Sequence, residues 1–176
     1  KTSATDWQVV LFDSDEVNAF ALPGGRIGVY TGLFKAVKNQ DQLAAVLGHE
    51  VSHVLARHSN ERLSQSQLAN VGMVAADTAL GDSEMRQPAM AALGLGTQVG
   101  ILLPYGRVQE SEADVLGLQL MASAGFKPEQ AVELWRNMAA ITKGKTTPEF
   151  LSTHPSSDSR INELQKQLTV VAPFYA

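Results

Sequence analysis

The run His49-Glu50-Val51-Ser52-His53 constrains this chain more than any other feature. It lies among Leu43, Val46, Leu47, Val51, Val54 and Leu55, which recur mostly three and four apart. That is the period of an α-helix with one apolar face, and Asn39 or Asp41 can cap its start. At about 100° per residue, His53 falls about 40° from His49 and one turn along, so both imidazoles leave the same face. Two neutral imidazoles converging in this way suit a zinc ion. Glu50 lies about 100° round from His49, beside such an ion, where a carboxylate can take a proton from water. The competing account is two surface histidines on an amphipathic helix. His58 is about 180° from His49 and about 140° from His53, so on a straight helix it reads as a surface or structural residue.

A catalytic zinc takes three protein ligands and keeps one position open. His154 is the one further histidine candidate for the third. The acidic run Arg107-Val-Gln-Glu110-Ser-Glu112-Ala-Asp114 offers carboxylates instead. Glu110 and Asp114 share a helix face, and Glu112 points away from it. Glu110 then reads as a ligand and Asp114 as the acceptor for a ligand histidine's second N–H. The same run reads equally well as a solvated helix start, where acids are favoured.

The 176 residues suit one domain over 1–176. A net charge of −4 disfavours nucleic acid, whose phosphates need a basic face. The absence of cysteine excludes a disulfide scaffold, a thiolate zinc site and a cysteine nucleophile.

The predicted class is α+β, mostly helical, with a small N-terminal sheet. Strands are expected over about 7–30: Trp7–Phe12, then a hairpin of Asn18–Leu22 and Arg26–Tyr30 about Pro23-Gly24-Gly25. Helices are expected over about 40–58 (carrying the two histidines), 60–80, 83–103 and 108–124, the last stopped by Gly125. Another starts at Lys127-Pro128-Glu129. Thr142–Ser156 reads as a polar loop, and a final helix runs from Ser157 or Asp158 to Leu168. The charge-free stretch Pro88–Pro104 is shorter than a membrane span. It reads as a buried helix or a lid, with a surface for membrane or an apolar partner as the alternative. The chain begins at Lys1, so it reads as processed or cut from a longer product.

These segments together resemble a known family. HExxH followed by Arg107, Glu110 and Asp114 as R-x-x-E-x-x-x-D resembles the gluzincin metallopeptidases of the HtpX, BepA and CAAX-prenyl-protease type. Asn18–Gly32 resembles their hairpin ahead of the metal helix. Thr153-His154-Pro155 with Arg160, in the region 153–168, resembles their C-terminal His-Pro signature. The resemblance covers about residues 6 to 168. It implies a zincin-like fold with the hairpin packed on the HExxH helix, and a zinc-dependent metalloendopeptidase with one Zn2+ per chain. Carried over by position, His49, His53 and Glu110 are the metal ligands and Glu50 the general base. Asp114 orients a ligand histidine. His154 donates to the oxyanion or closes onto the zinc, and Arg160 fixes its loop or faces the site. The multi-span branches of the family are not matched, which points to the soluble BepA-like branch. That implies quality control of unfolded or misassembled envelope proteins, in the periplasm or envelope, with a possible lipid anchor from a preceding segment. Expected partners are unfolded or membrane-associated proteins and outer-membrane assembly machinery. No nucleic acid and no transmembrane segment are expected. A non-proteolytic, chaperone-like module with a structural or latent zinc site is the alternative.

Overall fold

The computed structural model describes residues 7–141, 148–155 and 158–175. The chain divides into two compact bodies, one of Lys1–Ala56 with Ser111–Ala176 and one of Arg57–Glu110.

In the first body, three strands form one sheet: β1 (Gln8–Phe12), β2 (Ala19–Leu22) and β3 (Arg26–Tyr30). The order is β1-β3-β2, with β1 parallel and β2 antiparallel to β3. The hairpin turns where Gly24 and Gly25 take φ of 94° and 79°, a region closed to most side chains. Ala19, Ile27 and Val29 put the buried face of the sheet against the core, and β2 packs on helix α1 (Gln40–Leu55). Asn39 caps α1 by accepting from the Gln42 backbone N–H at 2.9 Å, while Gln42 Oε1 accepts from the Lys38 backbone N–H at 2.8 Å. This reciprocal cap starts the helix where the sequence placed it.

Helix α2 (His58–Leu80) follows a break at Arg57, whose φ of 59° is left-handed. Helix α3 (Arg86–Thr97) passes through a π-turn (Gln98–Leu102) into α4 (Leu103–Ser123). The sequence suggested separate helices over 83–103 and 108–124, but the helical path is continuous from Arg86 to Ser123. Pro104 removes one N–H from the ladder, and the widened turn just before it absorbs the mismatch. Gly125, at φ 81°, ends α4 in a Schellman motif, with Phe126 N–H on Met121 O at 2.9 Å.

Helix α5 (Glu129–Ile141) buries Val132, Leu134, Trp135 and Met138. Within the segment expected to be loop, Glu149–Thr153 forms a short helix, α6, because Phe150 and Leu151 enter the core and Phe150 N–H bonds Val17 O at 3.2 Å. Residues 142–147 and 156 of that segment, and the Ser157 cap, lie outside the described residues. Helix α7 (Asp158–Val171) packs on α5 and closes the first body.

The second body is a helical hairpin. Asp77 and Arg86 join near its tip through two contacts of 2.7 Å. The Arg86–Ser123 helix contains an apolar window, none of it buried. The expectation of a buried helix at Pro88–Pro104 therefore fails. By length and composition this helix is able to cross a membrane, contrary to the reading of the stretch as too short, because the helix continues beyond both prolines.

Candidate metal centre

Helices α1 and α4 touch backbone to backbone at Gly48 and Gly117. A Cβ on Gly48 would lie 2.9 Å from Gly117 O, and one on Gly117 would lie 2.9 Å from His49 N. Only two glycines allow this approach, and it brings His49 beside Asp114. Neither glycine was singled out from the sequence.

His49 Nδ1 lies 3.0 Å from Asp114 Oδ1. A buried carboxylate accepts, so Nδ1 carries the hydrogen and Nε2 keeps its lone pair. That Nε2 lies 3.1 Å from His53 Nε2 and 3.2 Å from His154 Nδ1. Glu110 stands one turn ahead of Asp114 on the same face of α4. One donor atom from each of His49, His53, Glu110 and His154 lies within 4.8 Å of all the others, and all four residues are buried.

This donor set fits zinc. Bonds of about 2.0–2.1 Å from nitrogen to a tetrahedral ion put neighbouring nitrogens about 3.3 Å apart, close to the separations of the imidazole pairs. Three histidines and a carboxylate are zinc ligand types, and crowding their lone pairs without a cation is unfavourable.

Asp114 is held from its other side. Arg160 Nε donates to Oδ2 and Nη2 to Oδ1, both at 2.8 Å, while Nη1 donates to Pro155 O at 2.9 Å. The guanidinium lies 4.0 Å from the Trp135 ring centroid. Arg160 thus ties the His-Pro loop to the carboxylate behind His49. Burial pushes the Asp114 carboxyl up, but the hydrogen bonds from His49 and Arg160 outweigh it, and the pKa lies below the ordinary 3.8.

Glu50 is buried, with Oε1 3.2 Å from His154 Nε2. His154 also stacks on Phe150, centroids 4.8 Å apart, and Trp135 meets the His49 ring edge-on at 5.8 Å. Trp135 and Phe150 thus wall the site, and sequence reasoning missed both, because an apolar residue at helical spacing carries no mark of what it packs on. Glu112 points away from the metal donors and lines a separate cleft with Leu55, Leu116 and Phe174. His58 is buried at the start of α2 and is not in the donor group.

An HExxH helix, a carboxylate donor from a second helix and a buried glutamate beside them define a zincin-type metallopeptidase centre. The comparisons place it more narrowly. The pattern of peptidase family M48 matches residues 1–168, and the chain belongs to that family. It is 38% identical over 164 residues to the mitochondrial metalloendopeptidase OMA1 of Schizosaccharomyces pombe, covering 92% of this chain and 47% of that protein. It is 32% identical over 177 residues to the beta-barrel assembly-enhancing protease of Yersinia pestis, covering 96% of this chain and 36% of that one. The chain therefore spans less than half the length of these relatives. They fall in more than one branch, so the family holds while the BepA-like branch is one of several. The chain carries a zinc metalloendopeptidase domain, and zinc is the ion its donors fit.

Proposed function

We propose that this chain cuts unfolded or misassembled proteins of the cell envelope, with His49, His53 and Glu110 holding zinc and Glu50 as general base. The observation that carries the reading is the buried His49, His53, Glu110 and His154 group with the Glu50 carboxylate beside it. When bound, zinc supplies Lewis acidity toward a carbonyl and toward water. Glu50 takes the proton of the attacking water and delivers it to the leaving amine. Asp114, backed by Arg160, keeps His49 in the tautomer that offers Nε2. Trp135 and Phe150 exclude water from the histidine side.

In the sheet, β3 is central, so β1 and β2 stand at the margins, and β2 is the hairpin strand to which an extended peptide would add. Main-chain pairing there would accept many sequences, as suits a quality-control enzyme. Two features support an envelope location. The relatives include a protein named for beta-barrel assembly. Residues 87–106 carry no charged side chain, and Leu93, Leu95, Val99, Ile101 and Leu103 stand exposed along them. Those side chains point to several sides of the helix, as suits lipid better than a single protein groove. We place the enzyme at the periplasmic face of a membrane, with this hairpin toward the lipid.

The test is Glu50→Gln. It should retain zinc and lose about 10²–10⁴-fold in casein cleavage. Undiminished cleavage would refute the base assignment, and wild-type protein that takes up no zinc would refute the whole reading.

A second reading concerns regulation. Four protein donors close a zinc site, whereas a catalytic site needs an open position. His154 Nδ1, 3.2 Å from His49 Nε2, is the donor that must leave, and it sits on a loop rather than on α1 or α4. His154→Ala should then raise casein cleavage. A fall of about 100-fold would instead make it the oxyanion donor.

A further inference from the structure

The third metal donor needs its side chain held. A glutamate side chain has three rotatable bonds, and Glu110 must present one oxygen at a fixed point. One restraint comes from α2. Arg62 Nη2 donates to Glu110 Oε1 at 3.1 Å, and Arg62 Nε donates to Gln109 Oε1 at 2.7 Å. Gln109 is 2% exposed and passes its amide hydrogen to Glu61 Oε2 at 2.9 Å. Glu61 and Arg62 on one helix thus meet Gln109 and Glu110 on another, each side chain holding the next.

We propose that Arg62 is a positioning residue for the metal ligand Glu110. Its guanidinium fixes the carboxylate by donating to Oε1. The inference rests on the zinc reading above and adds a residue to which no role was assigned from the sequence. The planar fork matters. Nε and Nη2 diverge at a fixed angle and reach acceptors on two successive residues, which a lysine ammonium at a single point does not reproduce. The Arg62 side chain is about half exposed, while Glu110 is buried, so the contact orients a buried donor from the protein's surface. Groups that orient a metal ligand typically account for about 10–100-fold in metal affinity.

The experiment measures Zn2+ affinity of the whole chain by competition with a chromophoric chelator, and the absorption bands of the Co2+ form. Arg62→Ala should weaken Zn2+ binding about 10–100-fold and change the Co2+ band intensities. Arg62→Lys keeps the charge and most of the stem, and should recover only part of the affinity. Arg136→Ala, on an exposed arginine paired with Glu133, is the control and should bind as wild type does. Urea unfolding of the apo forms separates lost folding from lost orientation. Should Arg62→Ala unfold early, Arg62→Lys alone decides. Zn2+ affinity in the deciding variant within about twofold of wild type, or tighter, overturns the proposal. A wild-type protein that binds neither ion overturns the zinc reading itself, which is a different failure.

Discussion

Gly117→Ala tests the contact that assembles the centre. The added Cβ would lie 2.9 Å from His49 N, 3.0 Å from Gly48 C and 3.1 Å from His49 Cα. All three are backbone atoms, so no side chain can rotate aside. Ordinary contact begins near 3.4 Å, and α1 and α4 must therefore separate by about half an ångström. Overpacking of this kind costs roughly 1–3 kcal/mol. Alanine in a helix interior returns about 0.5–1 kcal/mol of that. The net loss should be about 1–2 kcal/mol in apo protein, read as a lower urea midpoint at unchanged slope. The same displacement moves His49 against Asp114 by an amount comparable to the tolerance of a metal site, about 0.5 Å. Zn2+ affinity should fall at least tenfold as well. Gly106→Ala on the same helix is the control, since a Cβ there meets nothing within 4 Å. It should stabilise by up to about 1 kcal/mol and leave zinc binding alone. If Gly117→Ala matches this control in both measurements, the close crossing does not position the site.

Three other outcomes follow from particular contacts. Asp114→Asn removes the buried anion facing the largely covered Arg160, and should destabilise the protein by roughly 3 kcal/mol and weaken zinc at least tenfold; calorimetry and chelator competition check the two effects. The Arg86 hydrogen bonds hold the Asp77 carboxyl below the ordinary 3.8, against a smaller opposing effect of burial. Because the folded-state pKa is depressed, the stability it contributes is complete above about 3.8 and is lost as pH falls through the lower folded value. Carboxyl NMR should show Asp77 titrating below 3.8 and moving up in Arg86→Gln; an unmoved titration would refute the pairing. Finally, the chain should float with phosphatidylethanolamine–phosphatidylglycerol vesicles, and Leu95→Asp with Ile101→Asp should abolish flotation. Equal flotation of both forms would remove the hairpin from the lipid.

What the sequence made legible was what lies along one helix. His49, Glu50 and His53 are fixed by a spacing that geometry converts directly into a shared face, and Glu110 and Asp114 by the same rule on another helix. Sheet and helix boundaries followed from strong local signals, such as the Asn39 cap, the Pro23-Gly24-Gly25 turn and Gly125. Joining the pieces is a matter of long-range packing, for which a single sequence offers weaker marks. Gly48 and Gly117 are unfavourable in helix interiors, and that penalty was the available hint of a close crossing. Arg62 stands in an unremarkable polar stretch, and its partner Glu110 is 48 positions away.

The error over Pro88–Pro104 has a different origin. A charge-free apolar run states only that some apolar surroundings must cover it, and composition does not distinguish a protein core from a bilayer. In the sequence, two prolines bound the segment. Pro88 sits within the first turn of α3, where its missing N–H costs nothing, and the π-turn before Pro104 lets the helix pass through. The same helix that leaves its apolar residues uncovered at 93–103 therefore runs without a break to Glu110 and Asp114. If the hairpin meets lipid as proposed, a change in Zn2+ affinity on adding vesicles is the measure of any coupling between the two.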